Sequence, residues 1–362
     1  MVLRMLIAGI ALVAILSSCS TSVDPLDVPA TYDASAFTSN AATELRLRDD
    51  LAALTNLMKT GRTQGVTVDL SELTALASAL PMGSYADIVT AALPELTKAS
   101  GGTYDPRRPV ADNGHGGVYG AYLFDETGLE LEQVVEKGLF GAMMYAKASQ
   151  LMQPTATPAD VDRILALFGA DPAFPNSDKA ASPDRFSAAY AARRDKNDGK
   201  GMYTTITAAL RKAKAAAAIG SDYDGDKIAA FTTIRSTWER ALMATVVNYI
   251  QTTIQTITST SPTDAQLSAA LHAYGEAVGF TMGLMAVDAG SRVITDAVAR
   301  SILTSLQIPA QGQGTSYRII TQPVSAVVDL QAAIAAIANV YGFSASEIEE
   351  FRNNWVNVQG RQ

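Results

Sequence analysis

Between Asp264 and Asp288 the chain carries almost no charge: apart from its two ends, the only ionisable side chains are His272 and Glu276. Plotted at about 100° per residue, Leu267, Leu271, Tyr274, Val278, Met282 and Met285 fall on one stripe of a helix. Gly275, Gly279 and Gly283 form a ridge beside it that runs on into His272 and Glu276. A helix apolar nearly all round belongs in the middle of a bundle. Its three interior glycines cost roughly 0.8–1 kcal/mol each against alanine unless another backbone packs close. Burying an unpaired carboxylate costs several kcal/mol, so Glu276 requires a donor or a cation.

A second helix, expected over about Thr127 to Met152, has the same character. Glu130, Glu132, Gln133, Glu136 and Lys137 occupy its first half, the second half is apolar, and Gly138 and Gly141 permit close packing. Glu130, Gln133 and Lys137 lie along one side. A solvated face of charges accounts for that side as well as a binding site does. Two accounts of the His272–Glu276 pair stay open. In one, Glu276 accepts hydrogen bonds from Lys137, Gln133 or a backbone amide and His272 is a neutral core residue. In the other, His272 and Glu276 are two metal ligands and Glu130 and Glu136 on the facing helix supply more, as in carboxylate-rich bundle sites.

The 362 residues, 48% hydrophobic and 18% charged, suffice for one large or two modest domains. The net charge of −8, with no dense basic cluster, argues against nucleic acid as a partner. At the N-terminus Arg4 and an apolar run from Met5 to Leu16 are followed by Leu16-Ser17-Ser18-Cys19, which reads as a lipobox. The single cysteine of the chain stands where lipidation requires it. Residues 1–18 are then a signal peptide, 19–40 a flexible tether and Cys19 the lipid attachment point. The mature protein is expected in the cell envelope, tethered to a membrane and facing the periplasm or the outer-membrane surface, and no other segment reads as transmembrane.

Helical spacing recurs through the rest of the chain, and no stretch alternates apolar and polar residues between turn signals, so the expected class is all-α. The expected architecture is a multi-helix bundle of two packed halves, residues 41–170 and 171–362, joined near Ala170 to Pro183. Pro94 should kink or shorten its helix. Asn113-Gly114-His115-Gly116-Gly117 lies in a glycine-rich loop without the Gly-Lys-Ser/Thr of a phosphate cradle, so His115 reads as an exposed turn residue. Asp222, Asp224 and Asp226 begin like a calcium loop, but Lys227 stands where glycine is needed and Thr233 where a bidentate glutamate is needed. An acidic helix start is the simpler account.

Gly128-Leu129-Glu130, Gln133, Glu136-Lys137-Gly138-Leu139, Gly141-Ala142, Arg235, Thr237-Trp238-Glu239, Asn248-Tyr249 and His272 with Gly275-Glu276-Ala277 and Gly279-Phe280 together resemble a domain family of bacterial lipoproteins, itself similar to the imelysin-like proteins. The resemblance spans roughly Leu45 to Trp355. It implies a helical domain on an exported lipoprotein, linked with iron uptake and envelope transport proteins and, by the imelysin name, with peptidase activity. The imelysin motif is Gly-x-His-x-x-Glu, whereas this chain has His272-x-x-x-Glu276, so its ligand set does not transfer residue for residue. No His-Glu-x-x-His pair exists for a zinc peptidase. An iron or other divalent-metal binding accessory protein is therefore expected first. A metal-dependent hydrolase and a structural or interaction module are the alternatives. Gln133 and Lys137 are expected to line the site.

Overall fold

The computed structural model describes residues 24–308 and 316–362; the expected signal peptide and Cys19 lie outside them. Among the described residues the chain is all-α apart from one short hairpin. Its helices are α1 (Phe37–Asn40), α2 (Ala42–Thr60), α3 (Leu70–Ser78), α4 (Ala86–Ala99), α5 (Leu131–Leu139), α6 (Ala146–Leu151), α7 (Pro158–Phe168) and α8 (Phe186–Arg194). There follow α9 (Met202–Ile219), α10 (Asp224–Ile257), α11 (Asp264–Met285), α12 (Asp296–Ser305), α13 (Ser316–Thr321), α14 (Pro323–Tyr341), α15 (Ala345–Glu350) and α16 (Trp355–Val358).

Local chemistry sets several of these ends. Thr157 and Thr263 close capping boxes on α7 and α11, with Asp160 and Gln266 returning the bond to the cap backbone. Gly169 ends α7 in the left-handed conformation that an L side chain resists. α4 runs unbroken through Pro94, so the expected shortening does not occur. The segment from Asp24 to Asn40, expected to be tether, is docked on the body: Tyr32 and Phe37 are buried, and the Tyr32 hydroxyl donates to Asp162 at 2.6 Å.

The hairpin corrects the expectation of no strand. β1 (Gly116–Tyr119) pairs antiparallel with β2 (Tyr122–Asp125), Gly117 opposite Phe124 and Val118 opposite Leu123. Every residue of β1 is buried, so both faces are covered and the alternation that marks a half-exposed strand never arises. The expected Thr127–Met152 helix is also rebuilt. The Asp125 carboxylate accepts from the Thr127 and Leu129 amides, holding a turn before α5 begins at Leu131. After α5, residues Phe140–Tyr145 form a π-helical segment that leads into α6.

α11 is central, as its composition requires, and α5 crosses it backbone to backbone. A Cβ on Gly283 would stand 2.2 Å from the Gly138 carbonyl oxygen, and one on Gly279 2.4 Å from that of Gln133. α10 flanks this pair with a fully buried Trp238. α14 is long and apolar enough to cross a membrane by length and composition. Its Leu330, Ala333 and Ile337 are nevertheless buried, and it packs on α10 and α12.

A ring of alternating charges as the candidate functional site

The α5–α11 crossing brings His272 and Glu276 against the start of α5, and the end of α2 and the turn after it deliver two cations, Lys59 and Arg62, to the same place. Glu130, the N-cap residue of α5, is fully buried. Its Oε2 lies 2.6 Å from His272 Nδ1 and its Oε1 2.8 Å from Arg62 Nη2. The same Arg62 nitrogen is 2.6 Å from Glu132 Oε2. His272 Nε2 faces Glu276 Oε2 at 3.5 Å, and Glu276 Oε1 lies 3.5 Å from Lys137 Nζ and accepts from the Tyr190 hydroxyl at 3.2 Å. Lys137 Nζ is 2.6 Å from Glu136, and Lys59 Nζ lies 3.9 Å from Glu136 and 3.8 Å from Glu132.

These contacts close on themselves. Following Lys59, Glu132, Arg62, Glu130, His272, Glu276, Lys137 and Glu136 back to Lys59, each group neighbours only opposite charges. Four carboxylates meet three permanent cations, so the ring is neutral when one proton sits on it. Burial opposes a charged imidazole at His272, but the Glu130 carboxylate and its hydrogen bond outweigh this and raise the pKa. Burial, reinforced by Glu130, pushes Glu132 up to about 7. Both shifts favour the protonated form, one at His272 and one at Glu132. Burial alone would strip the charge from Lys137, yet Glu136 and Glu276 hold its pKa well above the ordinary lysine value.

The hairpin covers the ring. Tyr122 stacks on His272 with ring centres 4.2 Å apart, and the Arg62 guanidinium also lies over the Tyr122 ring, 5.0 Å from its centre. His272 and Arg62 remain about one-fifth exposed, whereas Glu130, Glu132, Lys137 and Glu276 are buried. Lys59 is more exposed still, at 38%, so the ring meets solvent at Lys59, Arg62 and His272.

All six residues expected at the site, Glu130, Gln133, Glu136, Lys137, His272 and Glu276, are on or beside the ring. Their roles differ from expectation. His272 has a carboxylate facing each of its two nitrogens and is one-fifth exposed, so it stands at the edge of the core and not wholly inside it. Gln133 does not reach Glu276; its amide donates to Glu132 at 3.0 Å. Arg62, Lys59, Tyr122 and Tyr190 were not anticipated. Lys59 had one legible signal, its place in the last turn of α2, where cations are usually read as dipole complements, whereas Arg62 lies in the turn just past Gly61. His115 is exposed, as expected of a turn residue, while Asn113 nearby is buried and holds its loop through Asp105. Asp224 and Asp226 pair with Lys227 and Lys212 at the start of α10.

Among the described residues, no group of three or more His, Cys, Asp or Glu side chains is placed to hold a metal ion. A closed metal cage therefore does not fit. A two-donor site does: ligand atoms on a tetrahedral ion with bonds of about 2.1 Å stand roughly 3.4 Å apart, and His272 Nε2 and Glu276 Oε2 are 3.5 Å apart. The Nδ1–Glu130 bond is the partner that metal-binding histidines usually make through their other nitrogen. Comparison with protein-family models, curated proteins and solved structures returns no match.

Proposed function

We propose that this chain is an exported, lipid-anchored binding protein of the cell envelope. Its cargo is iron or another divalent metal, carried in a complex that brings most of its own ligands. The observation that carries the reading is His272: one nitrogen oriented by Glu130, the other facing Glu276 across a ligand-sized gap at the solvent edge of the ring. Cargo enters by replacing the ring's proton, so metal and proton compete. The tether reading rests on the Leu16-Ser17-Ser18-Cys19 sequence; with Cys19→Ala, the protein should move from membrane to soluble fractions, and unchanged sedimentation with membranes would refute the anchor.

Calorimetric titration with ferrous citrate tests the cargo. The expected result is saturable uptake with proton release at about pH 8, at least tenfold weaker at about pH 6, where His272 is charged more often. His272→Gln should abolish uptake while leaving the helical circular dichroism intact. No saturable uptake by the unmodified protein at the higher pH would end the metal reading.

A second reading has its own observation. Each carboxylate of the ring already has a cation within 4 Å, so the ring also acts as a clasp that joins α2, α5 and α11 in a structural or interaction module. Under that reading His272→Gln changes stability and leaves metal uptake nil in both proteins. A hydrolase would require a metal-activated water held by protein ligands, for which the two-donor geometry gives no support.

A further inference from the structure

At the far end of α8, Arg194 is only 9% exposed, yet among the described residues no carboxylate lies within 4 Å of it. One guanidinium nitrogen donates to the Phe351 carbonyl, and Nε has no partner. A buried guanidinium without a counter-ion is costly, and here burial pulls its pKa down to about 10. Arg194 lines a cavity of about 320 Å³ together with Lys196, Lys200, Arg240 and Thr237. Three carboxylates also line it. Glu350 is taken by Lys196 at 2.5 Å and Glu347 by Arg240 at 3.2 Å, while Asp198 accepts the Lys200 amide. Lys200 has no carboxylate within 4 Å among the described residues and is exposed. The neighbouring start of α9 is not the source of attraction, because the Asp195 carboxylate already accepts the Thr204 amide there.

We infer that this cavity is a binding site for a phosphate-class oxyanion, free or as a monoester, with Arg194 as its buried anchor and Lys200 as its mobile cation. The Arg194 N–H groups not taken by Phe351, the Lys200 ammonium and the Thr237 hydroxyl offer more donors than a carboxylate can accept, and a tetrahedral anion with four oxygens matches them. The site is separate from the α5–α11 ring and does not depend on the metal reading.

The test is titration of the folded protein with inorganic phosphate and, separately, glycerol 3-phosphate, followed by ³¹P line broadening at constant ionic strength maintained with chloride. Saturable one-to-one binding of either probe is expected, weakened roughly tenfold by Lys200→Gln and more by Arg194→Lys, which keeps the charge and loses the fork. Binding of the ester alone assigns the site to monoesters; binding of both assigns it to the phosphate group. Because Arg194 is buried, folding of its variant is checked by circular dichroism, and Lys200→Gln decides alone if that variant unfolds. Phosphate binding no stronger than chloride in the unmodified protein overturns the proposal, as does affinity unchanged by the substitution that decides.

Discussion

Lys137→Met lowers the unfolding free energy by about 3–5 kcal/mol, the range for removing one partner of a buried ion pair. Lys137 is 5% exposed and stands between Glu136 and Glu276. Methionine fills much of its volume but leaves two carboxylates in an apolar surround of Phe140 and Tyr190, whose rings now flank the ammonium at 5.2 and 5.4 Å. Chemical denaturation monitored by circular dichroism gives the value. The exposed pair Lys98–Glu95, at 2.8 Å but half in solvent, is the control, and Lys98→Met should change stability by less than about 1 kcal/mol. Equal effects at the two lysines would mean that the ring contributes no more than a surface pair.

The second large effect concerns shape. Gly283→Ala places a methyl group 2.2 Å from the Gly138 carbonyl oxygen and 2.8 Å from its carbonyl carbon. Those are backbone atoms of α5 that cannot swing aside, so the two helices must separate, and a loss of about 3 kcal/mol is expected for such overpacking. Gly275→Ala, on the same ridge, meets nothing closer than the Glu130 Cβ at 3.3 Å. There the helix preference for alanine, about 0.8–1 kcal/mol, offsets a small adjustment, and stability should change by less than about 1 kcal/mol. Thermal denaturation of both variants decides the matter; a Gly275→Ala variant as damaged as Gly283→Ala would place the closest approach elsewhere on the ridge.

That ridge was readable from the chain itself, because glycines repeated four apart in an uncharged helix have no reason to persist unless a backbone lies against them. Its partner was readable too, for Gly138 and Gly141 carry the same signature, and pairing the two helices put Glu130 within reach of His272. The ring as a whole was not. Lys59 ends and Arg62 follows α2, whose sequence is an ordinary amphipathic helix, and nothing local shows that they cross to Glu130, Glu132 and Glu136. Tyr122 was missed for a different reason: its strand has four residues and is covered on both faces, which erases the period-two signal. The π-helical segment leaves no trace in an apolar run such as Phe140 to Tyr145, because every residue there is buried whichever phase the helix takes.

The ring also bears on the order in which the chain can fold. Its members come from positions 59 to 276, and the His272–Glu130 contact alone spans 142 residues. While the chain emerges, Glu130, Glu132 and Glu136 are balanced by Lys59, Arg62 and Lys137 long before His272 and Glu276 exist. Contacts this distant form after the entropy of closing a long loop has been met. Completion of the ring is therefore a late event, and an N-terminal fragment ending before α11 would hold a half-assembled ring of three carboxylates and three cations, with Gly138 and Gly141 left without the α11 backbone that packs on them.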